Sequence, residues 1–135
     1  MRAWVFLFAS SLALTSAQAG ETAKQGDESS TLYLVGLPGT GEMVGIKRTD
    51  NGDAMFDRMG VRTTESGDRR ETVLIDEEGD QVFSTFASGG TFRYVRGTGK
   101  YAGISGEGTF TCDSVRPLGP ESLLICENKS SWKLP

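Results

Sequence analysis

Apolar residues fall along this chain in short runs and alternations, and no window sustains a helical period. Leu32–Val35 is a continuous apolar run, long enough for a strand and too short for a helix. Glu42–Arg48 alternates, with Val44 and Ile46 on one side and Met43 and Lys47 on the other. Over Ala54–Thr64 a period of two groups Met55, Met59 and Val61 with Asp57, and sets Phe56, Arg58 and Arg62 opposite. Gly60 can act as a bulge there, which leaves the facing of Asp57 open. Glu71–Asp76 puts Val73 and Ile75 on one face, and Gln81–Ser88 sets Val82 and Phe86 against Phe83 and Ala87. Thr91–Arg96, Glu107–Cys112, Leu123–Cys126 and Ser131–Leu134 complete the strand-like segments.

Turn residues punctuate these runs. Pro38-Gly39, Asn51-Gly52, Ser66-Gly67-Asp68, Asp76–Asp80 and Ser88-Gly89-Gly90 each read as a reversal, with Asn51-Gly52 a tight hairpin signal. A longer connection, Val115–Ser122, holds Pro117 and Pro120. Roughly eight short strands joined by short links predict an all-β domain built as an antiparallel up-and-down meander. Closing it into a barrel removes the bare sheet edge.

The stretch Thr91–Cys112 carries Gly97, Gly99, Gly103, Gly106 and Gly108, with Tyr101 and Ile104 between them. Repeated sharp bends or close backbone approaches are what a barrel needs at a corner. A nucleotide-binding reading fails on the spacing. Gly97-x-Gly99 is followed by Gly103, and Gly99-Lys100 lacks the upstream glycine and the following Ser or Thr of a phosphate loop.

The two ends of the chain qualify this picture. Met1–Ala19 reads as a secretory signal, with Arg2, an apolar Trp4–Leu14 and a small-residue cleavage pattern at Ala17-Gln18-Ala19. Its apolar run is shorter than the roughly 20 residues a bilayer needs, so no membrane insertion is expected after cleavage. Gly20–Ser30 is polar and aperiodic and reads as a flexible leader, which leaves residues 31–135 as a single barrel domain. The expected location is exported, either periplasmic or extracellular. With 14 basic and 18 acidic residues, the formal charge of −4 gives no footprint for nucleic acid. In an exported chain, the two cysteines Cys112 and Cys126 are expected to form one disulfide.

Candidate chemistry is sparse. The chain contains no histidine, which removes the usual general base and every Ser-His-Asp arrangement. The acidic turns Asp50–Asp53 and Asp76–Asp80 lack the ligand spacing of a calcium loop, and neither a metal nor a cofactor is expected. Asp57 and Glu107 are the carboxylates left as catalytic candidates. Asp57 would act as an acid or base if it faced a dry lumen, and the plainer alternative is pairing with Arg58, Arg93 or Arg96. The aromatics spread over the strands either pack a solid core or line a cavity. Tyr33, Phe56, Phe86, Phe92, Tyr94 and Phe110 are the candidate ligand-binding residues. Asn128-Lys129-Ser130 fits the N-glycosylation pattern, which counts only in a eukaryotic secretory route.

Gly97-Thr98-Gly99-Lys100-Tyr101-Ala102-Gly103-Ile104-Ser105-Gly106 resembles the Gly-Thr-Gly-x-aromatic-x-Gly-x-x-Gly stretch of the allene oxide cyclase and dirigent-like barrels. It is especially similar to small exported bacterial members of that superfamily. The resemblance implies a short eight-stranded calycin-type barrel, often a homo-oligomer, with a central cavity. No working residue of those proteins matches a position here outside the glycine stretch, so no activity carries over. The expectation is an exported, non-enzymatic barrel that binds a small apolar or aromatic ligand, or a protein partner through its rim. The alternative is a cofactor-free isomerase or cyclase.

Overall fold

The computed structural model describes residues 24–52 and 54–135. The signal-like stretch and the first residues of the expected leader lie outside the described residues. Eight strands close into a barrel in sequence order: β1 Gln25–Leu37, β2 Glu42–Asn51, β3 Met59–Ser66, β4 Arg69–Ile75, β5 Gln81–Ala87, β6 Thr91–Gly97, β7 Ser105–Val115 and β8 Leu123–Lys133. Each pairs antiparallel with the next, and β8 closes on β1 from Gln25↔Lys133 to Val35↔Leu123. The up-and-down barrel anticipated from the alternation is the observed fold. Among the described residues no helix is long and apolar enough to cross a membrane.

Several boundaries differ from expectation. β1 begins at Gln25, so Gln25–Ser30 is strand and not leader. The hydrophobic pattern misses it because its inward residues, Glu28 and Ser30, are polar and yet buried. Ala54–Phe56 forms a 3-10 turn, and β3 starts only at Met59. Asn51-Gly52 makes no two-residue hairpin: Asn51 ends β2, paired with Ser29. Leu123–Lys133 is one continuous strand where two segments were expected.

The glycine-rich stretch serves two purposes. Gly99, at φ 55°, starts a 3-10 turn through Tyr101 that carries the chain inward at one end of the barrel. Gly106 and Gly108 lie on the inner face of β7, where a Cβ would strike the Ser131 carbonyl and the Phe92 ring respectively. These positions let β7 crowd its neighbours while β8 and β6 fill the interior.

The two ends of the barrel are unequal. At one end the joints β2–β3, β4–β5 and β6–β7 meet Lys24 and the C-terminal residues, and side chains from these joints fold in as a plug. Phe56, Tyr101 and Ile104 are buried there over Met59, Val82 and Trp132. The Phe56 ring lies 5.4 Å from Tyr101 and 5.0 Å from Trp132. The Tyr101 hydroxyl stands 2.9 Å from the Met55 carbonyl and 3.0 Å from Asp76 Oδ2. At the other end β1–β2, β3–β4 and β5–β6 are short hairpins whose residues are mostly exposed, and the longer β7–β8 connection lies against β1, where the Gly36 amide donates to the Ser122 carbonyl at 2.7 Å.

Asp76 ties the plug together. Its side chain accepts from the Glu78 amide at 2.9 Å and the Asp80 amide at 3.0 Å, and pairs with Lys100 at 2.9 Å. Burial pushes its pKa up, but the bonds from Lys100, Tyr101, Asp80 and Glu78 outweigh that and hold it below 3.8. Below that pH the unfolded chain takes up the proton first, so this contribution is present above pH 3.8 and lost as the pH falls through the folded value. Asp76→Asn is therefore expected to flatten the loss of stability on acidification below pH 3.8, read by urea unfolding across a pH series. An unchanged slope would mean that Asp76 is not among the groups driving it.

Cys112 and Cys126 sit directly opposite each other on β7 and β8, and form the expected disulfide at 2.04 Å. A cross-link closing so short a loop contributes about 3 kcal/mol through the unfolded chain. Reduction is expected to lower Tm by roughly 10 °C. An unchanged Tm would show that the hydrogen-bonded ladder already holds the two strands. A small disulfide-bonded barrel of this kind is compatible with an exported protein.

Candidate functional site

Strand alternation sends one set of side chains from every strand into the lumen. On β2 the inner set is Met43, Gly45 and Lys47, so the more apolar pair Val44 and Ile46 faces out. Toward the plug the lumen is filled. Toward the hairpin end it opens into a cavity of about 170 Å³. Leu32, Leu34, Leu74 and Leu124 form its aliphatic wall, and Phe86, Phe92, Tyr94 and Phe110 its aromatic wall. Phe92 meets Tyr94 edge-on at 5.5 Å, and Phe86 meets Phe110 edge-on at 6.0 Å. The disulfide lies in the same wall, while Met43, Thr63 and Glu65 stand toward the mouth.

The level between cavity and plug is polar. Lys47 and Glu28 form an ion pair at 2.6 Å, with side chains only 3% and 2% exposed. The same ammonium donates to the Phe56 carbonyl at 2.6 Å and to Thr49 Oγ1 at 3.3 Å, so all three of its N–H groups have acceptors. Burial lowers the Lys47 pKa, against which the Glu28 carboxylate pulls it back up. The Tyr94 hydroxyl donates to Ser130 Oγ at 3.1 Å. Burial, with Glu28 nearby, pushes the phenol up to about 12, so it stays protonated. Lys47 is thus a strut that joins β2 to β1 and to the plug turn, and offers no spare donor to a molecule in the lumen.

Of the six aromatic candidates, Phe86, Phe92, Tyr94 and Phe110 line the cavity. Phe56 is in the plug instead, because Ala54–Phe56 turns inward rather than running on as strand. Tyr33 faces outward and is 46% exposed, since the inner set of β1 is Leu32 and Leu34. Neither carboxylate candidate reaches the lumen. Asp57 sits outside the barrel wall, accepting from the Thr49 amide at 3.0 Å and pairing with Arg48 Nε at 3.1 Å. Its partner is Arg48, not Arg58, Arg93 or Arg96. The Thr49 amide and then Arg48 hold its pKa below the usual value. Glu107 is exposed on the outer face of β7, between the inward Gly106 and Gly108. Asn128, the sequon residue, faces the cavity, where a folded barrel has no room for a glycan.

Sequence reasoning missed the Lys47–Glu28 pair. One signal was available: strict alternation already put Lys47 on the same side of β2 as Met43. With Val44 and Ile46 on one side and Met43 on the other, the alternation alone did not say which side is inner.

Compared with protein-family models, with characterised proteins and with solved structures, the chain matches none. Fold and site therefore define its class by themselves: a small disulfide-bonded, eight-stranded closed barrel with an apolar lumen open at one end.

Proposed function

We propose that this protein is an exported, periplasmic or extracellular, non-enzymatic barrel that holds a small apolar or aromatic molecule in its lumen. The observation that supports the reading is the cavity faced by Phe86, Phe92, Tyr94 and Phe110 at the end the plug does not fill. Edge-on ring pairs in a half-enclosed apolar wall suit a flat aromatic guest.

Size narrows the guest. A volume of about 170 Å³ is below the roughly 300–1,000 Å³ of sites for drug-sized molecules, and close to the roughly 150 Å³ of an apolar cavity that accepts benzene. A single ring or a short branched chain matches that volume best. The cyclase or isomerase alternative relied on Asp57 or Glu107 inside the lumen. Both lie outside it, which favours the binding reading.

Calorimetric titration with toluene, p-cresol and naphthalene tests this. Toluene and p-cresol are expected to bind, and naphthalene to bind more weakly than toluene. Ser84→Phe, which projects a ring into the cavity from β5, is expected to abolish binding while the barrel stays folded by circular dichroism. Absence of heat with any single-ring compound would remove the proposal.

A further inference from the structure

β8 sends Leu124, Cys126 and Asn128 to the cavity wall, and Asn128 is the one nearest the plug. Register places it between Ser30 on β1 and Phe110 on β7, which line the cavity too. The Asn128 Oδ1 atom is buried, and no donor among the described residues bonds to it. A buried acceptor without a donor destabilises the folded chain. An apolar side chain would fill the same position without that cost, as Leu124 does one turn of the pleat toward the mouth.

The donors around the lumen are engaged elsewhere. The Lys47 ammonium is bound to Glu28, the Phe56 carbonyl and Thr49. The Tyr94 hydroxyl donates to Ser130 Oγ. The hydroxyls of Thr63 and Thr72 stand 3.1 Å apart and bond to each other. Ser30, directly across the β1–β8 pairing, makes no bond to the Asn128 oxygen either. The carboxamide oxygen therefore has no task in holding the barrel together, and it stands in the wall of the one part of the lumen that the plug leaves open.

We infer that the Asn128 carboxamide oxygen accepts a hydrogen bond from the hydroxyl of a guest, so that the ligand class is a single-ring phenol and not a hydrocarbon. The inference rests on the binding reading above and narrows it. The terminal torsion of an asparagine is broad and roughly two-fold, so Oδ1 turns to the lumen without movement of the strand. The hydroxyl enters first and meets Asn128 toward the plug. The ring then lies among Phe86, Phe92 and Phe110, and a para substituent points back to the mouth. The selectivity has a simple source. The oxygen has already lost its water in the folded barrel, so a donor on the guest gains a bond without stripping the acceptor, and a guest without a donor leaves it unpaired.

Calorimetric titration at neutral pH with p-cresol and with anisole, an isomer built of the same atoms but lacking a donor, tests this. The wild-type barrel is expected to bind p-cresol about tenfold more tightly than anisole. In Asn128→Leu that preference is expected to vanish while toluene still binds, because the substitution keeps the apolar wall and removes the acceptor. The ligand-free variant is also expected to melt no lower than wild type, since it deletes an unpaired buried oxygen. Equal affinities of the wild-type barrel for p-cresol and anisole would overturn the inference. So would a preference that survives Asn128→Leu, or a marked fall in the Tm of that variant, which would show the oxygen to be bonded within the fold. Each of these outcomes leaves the apolar-lumen reading standing as long as toluene binds. Failure of toluene, anisole and p-cresol alike would remove that reading and this one with it.

Discussion

Lys47→Met is expected to destabilise the protein by about 3–5 kcal/mol, the largest effect of any single conservative-volume change in the barrel. The substitution keeps the length of the side chain and removes its charge. It takes the ammonium from beside Glu28 at 2.6 Å and from the Phe56 carbonyl at 2.6 Å, in a place with almost no access to water. A carboxylate buried that deeply must then either lose its counter-charge or take up a proton, and both cost free energy. The double variant Glu28→Leu/Lys47→Met is expected to recover most of the loss, because an apolar pair of similar volume often matches a buried ion pair. Urea midpoints of the two singles and the double complete the cycle. A Lys47→Met midpoint equal to that of wild type would show that water reaches the pair.

Tyr101→Ala is the second large effect expected, again about 3–5 kcal/mol, as for other fully buried aromatics. Tyr101 has no exposed surface, and its ring packs on Phe56. Its hydroxyl is shared between Met55 and Asp76, so the residue joins the β2–β3, β4–β5 and β6–β7 joints in one contact. Tyr101→Phe keeps the packing and removes only the hydroxyl, for about 1–3 kcal/mol, the cost of leaving a buried acceptor unsatisfied. The comparison separates ring from hydroxyl. If both variants lost the same stability, the plug would be held by its hydrogen bonds and not by its packing. Loss of the plug also gives the lumen a second opening, so Tyr101→Ala should release toluene faster than Tyr101→Phe does.

The outline of the barrel was legible because strand alternation and turn residues are local properties. Val82 and Phe86 were correctly grouped on one face of β5, and both point inward. Which face is inner was less legible. On β2 and β4 the outward sets, Val44 with Ile46 and Val73 with Ile75, are as apolar as the inward ones. A barrel wall that also carries apolar residues outside defeats a rule that assigns the greasier face to the core. The polar start of β1 was unreadable for the complementary reason. Glu28 is buried only because Lys47, far along the chain, arrives beside it through the β1–β2 register. Asp57 depended on a similar accident: a 3-10 turn at Ala54–Phe56 resets the alternation before β3 and turns the carboxylate toward Arg48.

The inequality of the two barrel ends sets how the molecule is best presented. Lys24 and Pro135 are both on the plugged side, where the Leu134 amide donates to the Lys24 carbonyl at 2.6 Å. A support coupled at either position would hold the barrel like a cup by its base. The open rim would then face bulk solution clear of the linker, and under the binding reading proposed above immobilised protein should take up toluene as fast as free protein does.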